Sequence, residues 1–341
     1  MGLFRKKSAA ASDPTVLLTP VAQFWQWWGE DGHAIDVSTP TPLHDELTRR
    51  VQTVDPGLTW HFGPGTRADH RLTVTASGVA AVRTMAERWL RAAPAADATW
   101  EFASALEADP SALGRTLDLG GTRLDLAELV FGVEVSEAER RVHVEVHHPA
   151  FVDMDDHARR QVAFLVADWT LGEDAVERWV GALEPVGERP VRARDAAALR
   201  EAVDALAAQR DPEAWAILQA DDDGRPMLAV VRTGHRWLDH PTLDLHHTVS
   251  APFAAGPNGQ PDTTATLDKL HALETELEKV VAPVGLHLGH ETADGVRVFH
   301  IYTDGEDQNA ADPLLDWAEV LGLKVESSHD PGWHEVRHFT G

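Results

Sequence analysis

The chain has 341 residues, long enough for two domains of ordinary size, and 43% of them are hydrophobic, which excludes disorder over the whole length. Lysine and arginine number 30 against 55 aspartates and glutamates, so the formal charge is -25, and nucleic acid, a polyanion, is not an expected partner. Cysteine is absent, which excludes disulfides, thiol catalysis and cysteine-ligated metal centres and is typical of a reducing, cytoplasmic compartment.

The chain begins with a charged and then small and polar stretch, 1–15, which lacks the apolar segment of a signal peptide and predicts a mobile tail. An aromatic helix follows, in which Phe24, Trp27 and Trp28 share one face by helical spacing while Trp25 points elsewhere. Such residues pack into the protein's own core or, when exposed, anchor a partner. We favour the core and keep Trp25 and Trp28 as candidate interaction residues.

The rest of the N-terminal half alternates helices with short strands. Val142, Val144 and Val146 alternate with polar residues, which predicts a half-buried antiparallel strand. The predicted helices cover 43–54, 79–90, 153–169 and 174–180, and the predicted strands cover 59–62, 71–76, 99–103, 124–135 with a break, and 141–148.

Proline, glycine and arginine mark a connector, and Asp195 then caps a helix, so the sequence predicts a linker with a helix over 186–211. Beyond it, Asp223-Gly224 and Asp294-Gly295 are each typical of a two-residue hairpin turn. The predicted strands of this half cover 214–220, 226–232, 243–249, 287–291, 296–303, 324–327 and 335–339. Two helices separate them, one carrying Leu267, Leu270, Leu273, Leu277 and Val280 inward and one after Asp312-Pro313.

These elements predict an α+β protein of two domains, each an antiparallel or mixed sheet with helices packed on one face. The domains cover 16–185 and 212–341, joined by the linker over 186–211. We expect Trp215, Trp317 and Trp333 to lie in the core of the second domain.

The second half resembles a bacterial family known as domain of unknown function six-nine-five. The resemblance covers about 211–341 and depends on the order and spacing of Trp215, 224–226, 258–261, 270–277 with Glu274 and Glu276, 295–302 and 330–333. That family is similar in layout to the B-type regulator of ribonuclease E. The resemblance implies a ferredoxin-like fold without established catalytic residues, and the N-terminal half stays unassigned.

The best candidate for chemistry is the strand that carries His143, Glu145 and His147. Because side chains alternate along a strand, these three share one face, and two imidazoles with a carboxylate form a plausible zinc or iron set. His157 is the nearest further ligand in sequence. The alternative is a solvated strand face, which shows polar residues at the same spacing. Asp244, His246 and His247 form a weaker group because they divide between two faces.

No nucleophile elbow, phosphate loop or complete catalytic set is found in the sequence. We therefore expect a cytoplasmic binding or regulatory protein without catalysis or cofactor, which acts on another protein, a basic one if the acidic surface does the docking. Trp237, in a stretch with two histidines, is a third candidate interaction residue. The alternative is a metal-dependent hydrolase or oxygenase that uses His143, Glu145 and His147. No apolar stretch is long enough for a membrane partner, and the sequence leaves the oligomeric state open.

Overall fold

The computed structural model describes residues 18–119, 121–222 and 225–339. The α-helices of these ranges are α1 (Pro20–Glu30), α2 (Pro42–Val54), α3 (Ala80–Arg91), α4 (Asp156–Leu171), α5 (Glu173–Trp179), α6 (Ala196–Ala208), α7 (Thr264–Val281) and α8 (Asp312–Leu321). The strands are β1 (Thr59–Pro64), β2 (His70–Thr75), β3 (Trp100–Ala103), β4 (Thr116–Leu119), β5 (Thr122–Asp125), β6 (Val130–Ser136), β7 (Arg141–His147), β8 (Val180–Pro185), β9 (Trp215–Asp222), β10 (Arg225–Arg232), β11 (Leu245–Pro252), β12 (Gly285–Ala293), β13 (Val296–Thr303) and β14 (Lys324–His329). The predicted α+β class is confirmed, whereas the predicted tail over 1–15 lies outside the described residues.

Strands β1, β2 and β3 form a small sheet that packs against α1, α2 and α3. β1 pairs with β2 in antiparallel fashion, and β2 pairs with β3 in parallel because α3 crosses over between them. The core of this unit is aromatic: Phe24, Trp27 and Trp28 are only 1%, 5% and 3% exposed. The prediction that these residues share a buried helix face is confirmed.

A second small sheet is formed by β6, β7 and β8. β6 pairs antiparallel with β7, and β7 pairs parallel with β8 after a connection through α4 and α5. The inner face is a separate apolar core, to which α6 contributes Leu199, Val203 and Leu206. The helix predicted within the linker is therefore present, and it is packed against this sheet. The domain boundaries at 185 and 211 stay predictions.

The C-terminal half is built on a six-stranded sheet in the order β14-β11-β13-β12-β10-β9, in which each pair is antiparallel. The elements β11, α7, β12, β13, α8 and β14 follow one another along the chain, with β11 between β13 and β14. This β-α-β-β-α-β order agrees with the ferredoxin-like fold that the resemblance implies, and that finer assignment stays a prediction. The hairpin β9–β10 extends the sheet beyond β12.

Each face of this sheet has its own cover. Helices α7 and α8 bury one face, where Leu277, Phe299 and Leu314 are each fully buried. The other face is closed by a 3-10 turn over His334–Phe339, which buries Val336 and Phe339. The strand predicted over 335–339 is therefore wrong. Two apolar residues three positions apart face the same side of a 3-10 turn, and here that side is the core.

The two predicted hairpin turns have different outcomes. Asp294 and Gly295 connect β12 to β13 with φ values of 47° and 78°, the left-handed pair that a type I′ turn requires. That prediction is confirmed. The Asp223-Gly224 pair lies outside the described residues, although β9 and β10 pair antiparallel on either side of it.

Burial of the C-terminal tryptophans is only partly as predicted. Trp333 is 3% exposed and Trp317 is partly buried, but Trp215 is 41% exposed, so its predicted burial is wrong. Trp215 lies on β9, the edge strand, where the guanidinium of Arg232 covers its ring at 4.6 Å. Ile217, on the same strand, is 75% exposed. Along α7, Leu267 is also exposed, and Val281 replaces Val280 as the buried residue of the last turn.

Polar contacts join the N-terminal and C-terminal halves. The Thr84 hydroxyl donates a hydrogen bond to the Pro241 carbonyl at 2.8 Å, and Nη2 and Nη1 of Arg178 donate to the Asp239 carboxylate at 2.6 and 3.1 Å. Each helix in the described ranges is too short or too polar to cross a lipid bilayer.

Candidate functional site

The outer face of the β6-β7-β8 sheet carries the histidine strand. Val142, Val144 and Val146 point into the core at 0–2% exposure, as the alternation predicted. His143 and Glu145 therefore lie on the opposite, outer face.

The histidines of this strand are already engaged within the protein. His143 Nδ1 accepts a hydrogen bond from the Ala182 N–H at 3.0 Å, which leaves the proton on Nε2, 3.0 Å from Glu139. The His147 ring is nearly buried, and its Nδ1 lies 3.1 Å from the Val186 carbonyl oxygen.

No group of three or more His, Cys, Asp or Glu side chains within the described ranges is arranged to hold a metal ion. The predicted set of His143, Glu145 and His147 shares a strand but does not converge on one point. The reason is that successive outward residues on a strand are about 7 Å apart, and both histidines turn toward backbone partners. The added candidate His157 lies on α4, which belongs to the core side of the sheet.

A groove of about 610 Å³ covers this outer face, and we refer to it as the outer-face groove. Its floor is formed by β6, β7 and β8 and its rim by residues 190–192. Three exposed glutamates line it: Glu134, Glu145 and Glu184. None of the three carboxylates has an ion pair or hydrogen-bond partner in the described part of the chain.

Strand register concentrates this negative charge. Glu145 of β7 lies directly opposite Glu184 of β8, and like charges in opposed positions destabilise a sheet. On the other side, Glu145 lies opposite Gly132, and a Cβ there would come within 2.5 Å of a Glu145 carboxylate oxygen. The glycine therefore leaves room for the carboxylate, and the groove presents three carboxylates against one arginine, Arg192 on the rim.

The aromatic candidates of α1 are mostly inaccessible. Trp28 is 3% exposed, so it is a core residue, as the favoured interpretation of α1 predicted, and it is not accessible as an interaction residue. Trp25 is partly buried, stacks on Trp89 at 4.6 Å between ring centroids, and donates from Nε1 to the Trp89 carbonyl at 2.8 Å. Both residues are held by their own core.

Trp237 has a different position, in a cleft of about 300 Å³ between the two halves, which we call the Arg–Trp cleft. It is lined by Arg141, Glu177, Arg236, Trp237, Gly332, Trp333, Val336 and Arg337. An adjoining cavity of about 250 Å³ shares Arg236 and also contains Arg140, Arg178 and Arg210. No sequence pattern pointed to these arginines, because they come from positions scattered over nearly 200 residues of the chain.

A buried acidic cluster lies where α4 and α5 meet the first sheet. Glu173, 7% exposed, accepts hydrogen bonds from the Thr75 hydroxyl and from the Gly78 and Leu106 N–H groups. Burial, together with the nearby Glu173 carboxylate, raises the pKa of Asp168 to about 7. The Thr75 hydroxyl and the two backbone N–H groups satisfy the Glu173 carboxylate and tie the start of α5 to the first sheet.

The C-terminal sheet buries further histidines. His246 stacks on Tyr302 at 4.7 Å, and its Nε2 lies 3.1 Å from His300 Nδ1. Burial, with His300 beside it, lowers the pKa of His246 to about 4. Burial also lowers the pKa of His247 to about 4, on the opposite face of the same strand. The split of this pair between two faces is as the alternation predicted.

Comparison with protein-family models, with curated proteins and with solved structures found no match to this chain. The resemblance of residues 211–341 to the family of unknown function therefore stays a prediction.

Proposed function

We propose that this protein is a non-catalytic, cytoplasmic binding protein whose outer-face groove takes a basic segment of another protein. The observation that carries this proposal is the row of three glutamates, Glu134, Glu145 and Glu184, that lack cationic partners within the described ranges. A lysine- or arginine-rich segment would neutralise them and relieve the repulsion between Glu145 and Glu184.

The groove suits such a segment in size and access. Its volume of about 610 Å³ falls within the range of binding sites for drug-sized molecules, and its carboxylates are exposed, so a partner reaches them without burying an unpaired charge. The overall charge of -25 would also speed the approach of a basic partner at low ionic strength. A regulatory role is proposed from the resemblance of the C-terminal half to the ribonuclease E regulator layout.

Titration calorimetry with a ten-residue lysine- and arginine-rich peptide tests the proposal. We expect binding that weakens as salt is raised and that falls at least about tenfold in the triple variant Glu134→Gln, Glu145→Gln, Glu184→Gln. The matched control changes the same number of charges on exposed helix positions of the C-terminal half, Glu276→Gln, Asp316→Asn and Glu319→Gln.

An equal loss of peptide affinity in both triple variants would mean that net charge alone, not the groove, attracts the peptide.

Elemental analysis addresses the metal-dependent alternative separately. A stoichiometric metal in the purified protein that is lost in a His143→Ala, His147→Ala double variant would contradict the non-catalytic proposal in favour of a metal centre.

A further inference from the structure

The Arg–Trp cleft collects positive charge in a strongly acidic protein. Arg141 enters it from the N-terminal half and Arg236 from the C-terminal half. Arg140, Arg178 and Arg210 line the cavity next to it. Arg337 also lines the cleft, and in a chain with 25 more acidic than basic residues, six arginines around one junction need a physical explanation.

The acidic groups that face this junction do not balance the arginines. Asp239 is shared by Arg178 and Arg210, with contacts of 2.6 and 2.8 Å. Glu139 is 3.0 Å from His143 rather than from an arginine, and Glu177 lines the cleft without an ion pair in the described ranges.

The Arg236 side chain has no acidic partner in the described ranges. Its backbone N–H donates to Asp239 at 3.0 Å, but its guanidinium has neither an ion pair nor an acceptor among the described residues. Burial lowers the pKa of Arg236 to about 10, and repulsion from the charges of Arg141 and Arg178 adds to this effect. A partly buried cation repelled by its neighbours is a cost to the free protein, which an anion in the cleft would offset.

Two backbone carbonyls fix the position of the Arg141 guanidinium in the same cleft. Its Nη1 donates to the carbonyls of Glu177 and Val180, each at 2.9 Å, at the end of α5. Its remaining N–H groups have no acceptor within the described ranges, so they are free to bind an anion.

We propose that the Arg–Trp cleft binds a small organic phosphate that carries a flat aromatic ring, with the phosphate on Arg236 and Arg141 and the ring against Trp237. Guanidinium groups present paired N–H donors that match phosphate oxygens. Trp237 is half-buried in the wall of the cleft, and a tryptophan face stacks well on a planar ring. The cleft of about 300 Å³ is at the lower end of the size of small-ligand sites.

Calorimetry with adenosine monophosphate, inorganic phosphate and adenosine, each added to the full chain, tests the proposal. We expect adenosine monophosphate to bind at least about tenfold more tightly than either inorganic phosphate or adenosine, because it alone supplies both the charge and the ring. Binding of the nucleotide no tighter than either of the two fragments overturns the proposal.

Two variants locate the site. Arg236→Gln is expected to weaken nucleotide binding at least about tenfold, and Trp237→Leu to weaken nucleotide binding while leaving inorganic phosphate binding within twofold. Arg189→Gln, an equal charge change at an exposed position, is the control and should bind as the native chain does. If Arg236→Gln binds the nucleotide as tightly as the control, the proposal is overturned.

A melting experiment separates loss of the site from loss of the fold. In phosphate-free buffer, Arg236→Gln should melt no lower than the native protein, because the change relieves repulsion among arginines. Nucleotide at the same concentration should raise the melting temperature of the native protein more than that of the variant, because the variant binds it more weakly. A variant that melts lower without ligand contradicts the view of Arg236 as an uncompensated charge.

Discussion

Arg88 of α3 reaches from the N-terminal half to Asp244 of the C-terminal half, with Nη1 at 3.1 Å from Oδ2. Both side chains are nearly buried, at 11% and 3% exposure, and Arg88 also contacts Asp304 at 2.7 Å. Asp244 in turn accepts a hydrogen bond from the Gly305 N–H at 2.8 Å. One guanidinium therefore ties a helix of one half to two loops of the other.

Replacing this arginine should loosen the junction. Arg88→Met keeps the aliphatic stem but leaves Asp244 buried without its cation, so we expect a loss of about 3 kcal/mol in the free energy of unfolding. Urea denaturation followed by tryptophan fluorescence measures it. Arg91→Met, on the same helix but exposed, should change stability by less than about 0.5 kcal/mol. Similar effects for the two variants would show that the buried pair contributes little.

The Asp168 carboxyl should make the protein less stable as pH rises from 4 to 7. Its pKa is about 7 in the folded chain, above the ordinary aspartate value, so the folded state holds the proton more tightly than the unfolded state. The free energy of unfolding therefore falls as pH rises from the unfolded pKa to the folded pKa, and the full loss is reached above pH 7. Asp168→Asn removes the charge.

We expect the stability gained by Asp168→Asn to be about 2 kcal/mol larger at pH 8 than at pH 5. Chemical denaturation of native and variant protein at the two pH values measures the difference. Asp156→Asn, at the exposed first turn of the same helix, is the control and should show no such growth. A gain that is constant with pH would mean that Asp168 is charged in the folded state.

His246 should destabilise the protein in acid. Its folded pKa of about 4 is below the ordinary histidine value near 6.5, so the unfolded chain takes up a proton that the folded chain refuses. The free energy of unfolding keeps its full value above pH 6.5 and falls as pH drops toward 4. His246→Phe keeps a flat ring on Tyr302 and cannot titrate.

The native protein should lose about 2 kcal/mol more than His246→Phe between pH 7 and pH 5. At pH 7 itself the variant should be less stable by about 1 kcal/mol, because the hydrogen bond to His300 is gone. His271→Phe, on the exposed face of α7, should follow the native pH profile. Parallel pH profiles for native protein and His246→Phe would contradict the buried, neutral histidine.

Gly289 is required by backbone packing. It lies at a bulge in β12 with φ of 154°, and a Cβ there would be 2.3 Å from the Val230 carbonyl oxygen of β10. Because the obstacle is backbone and not a flexible side chain, we expect Gly289→Ala to cost about 3 kcal/mol. Gly63→Ala has open space around it and should cost less than about 1 kcal/mol. Thermal melting of both variants distinguishes them.

Periodicity predicted the local structure of most elements. Helical spacing placed Phe24, Trp27 and Trp28 in one core, and alternation placed Val142 and its neighbours inward, because both patterns report which face is apolar. The tight turn at Asp294 and Gly295 was predictable from turn chemistry alone. Trp215 was not, since an edge strand and an inner strand have similar residue patterns and only the sheet order distinguishes them.

The sites depend on contacts between distant parts of the chain. Arg141 and Arg236 line one cleft because the two halves of the chain dock. Residues so far apart in sequence form no short motif that could predict this. The opposition of Glu145 and Glu184 follows from a parallel crossover over 148–179, and the register that this crossover produces cannot be read from the sequence. Trp237 was predicted as an interaction residue from its type and surroundings, and that role stays a prediction, whereas its place in a cleft required the structure.

The outer edge of β9 is a site through which copies of this protein can associate by β-strand pairing. Among the residues that the structure describes, this strand pairs with β10 alone, and it exposes Ile217 beside Trp215, whose ring Arg232 covers. Open strand edges pair readily with copies of themselves, and mutual repulsion between highly acidic molecules opposes that pairing. Concentrated salt screens the repulsion while leaving the edge intact. Samples kept in high salt should therefore form fibrillar aggregates sooner than samples kept in dilute buffer.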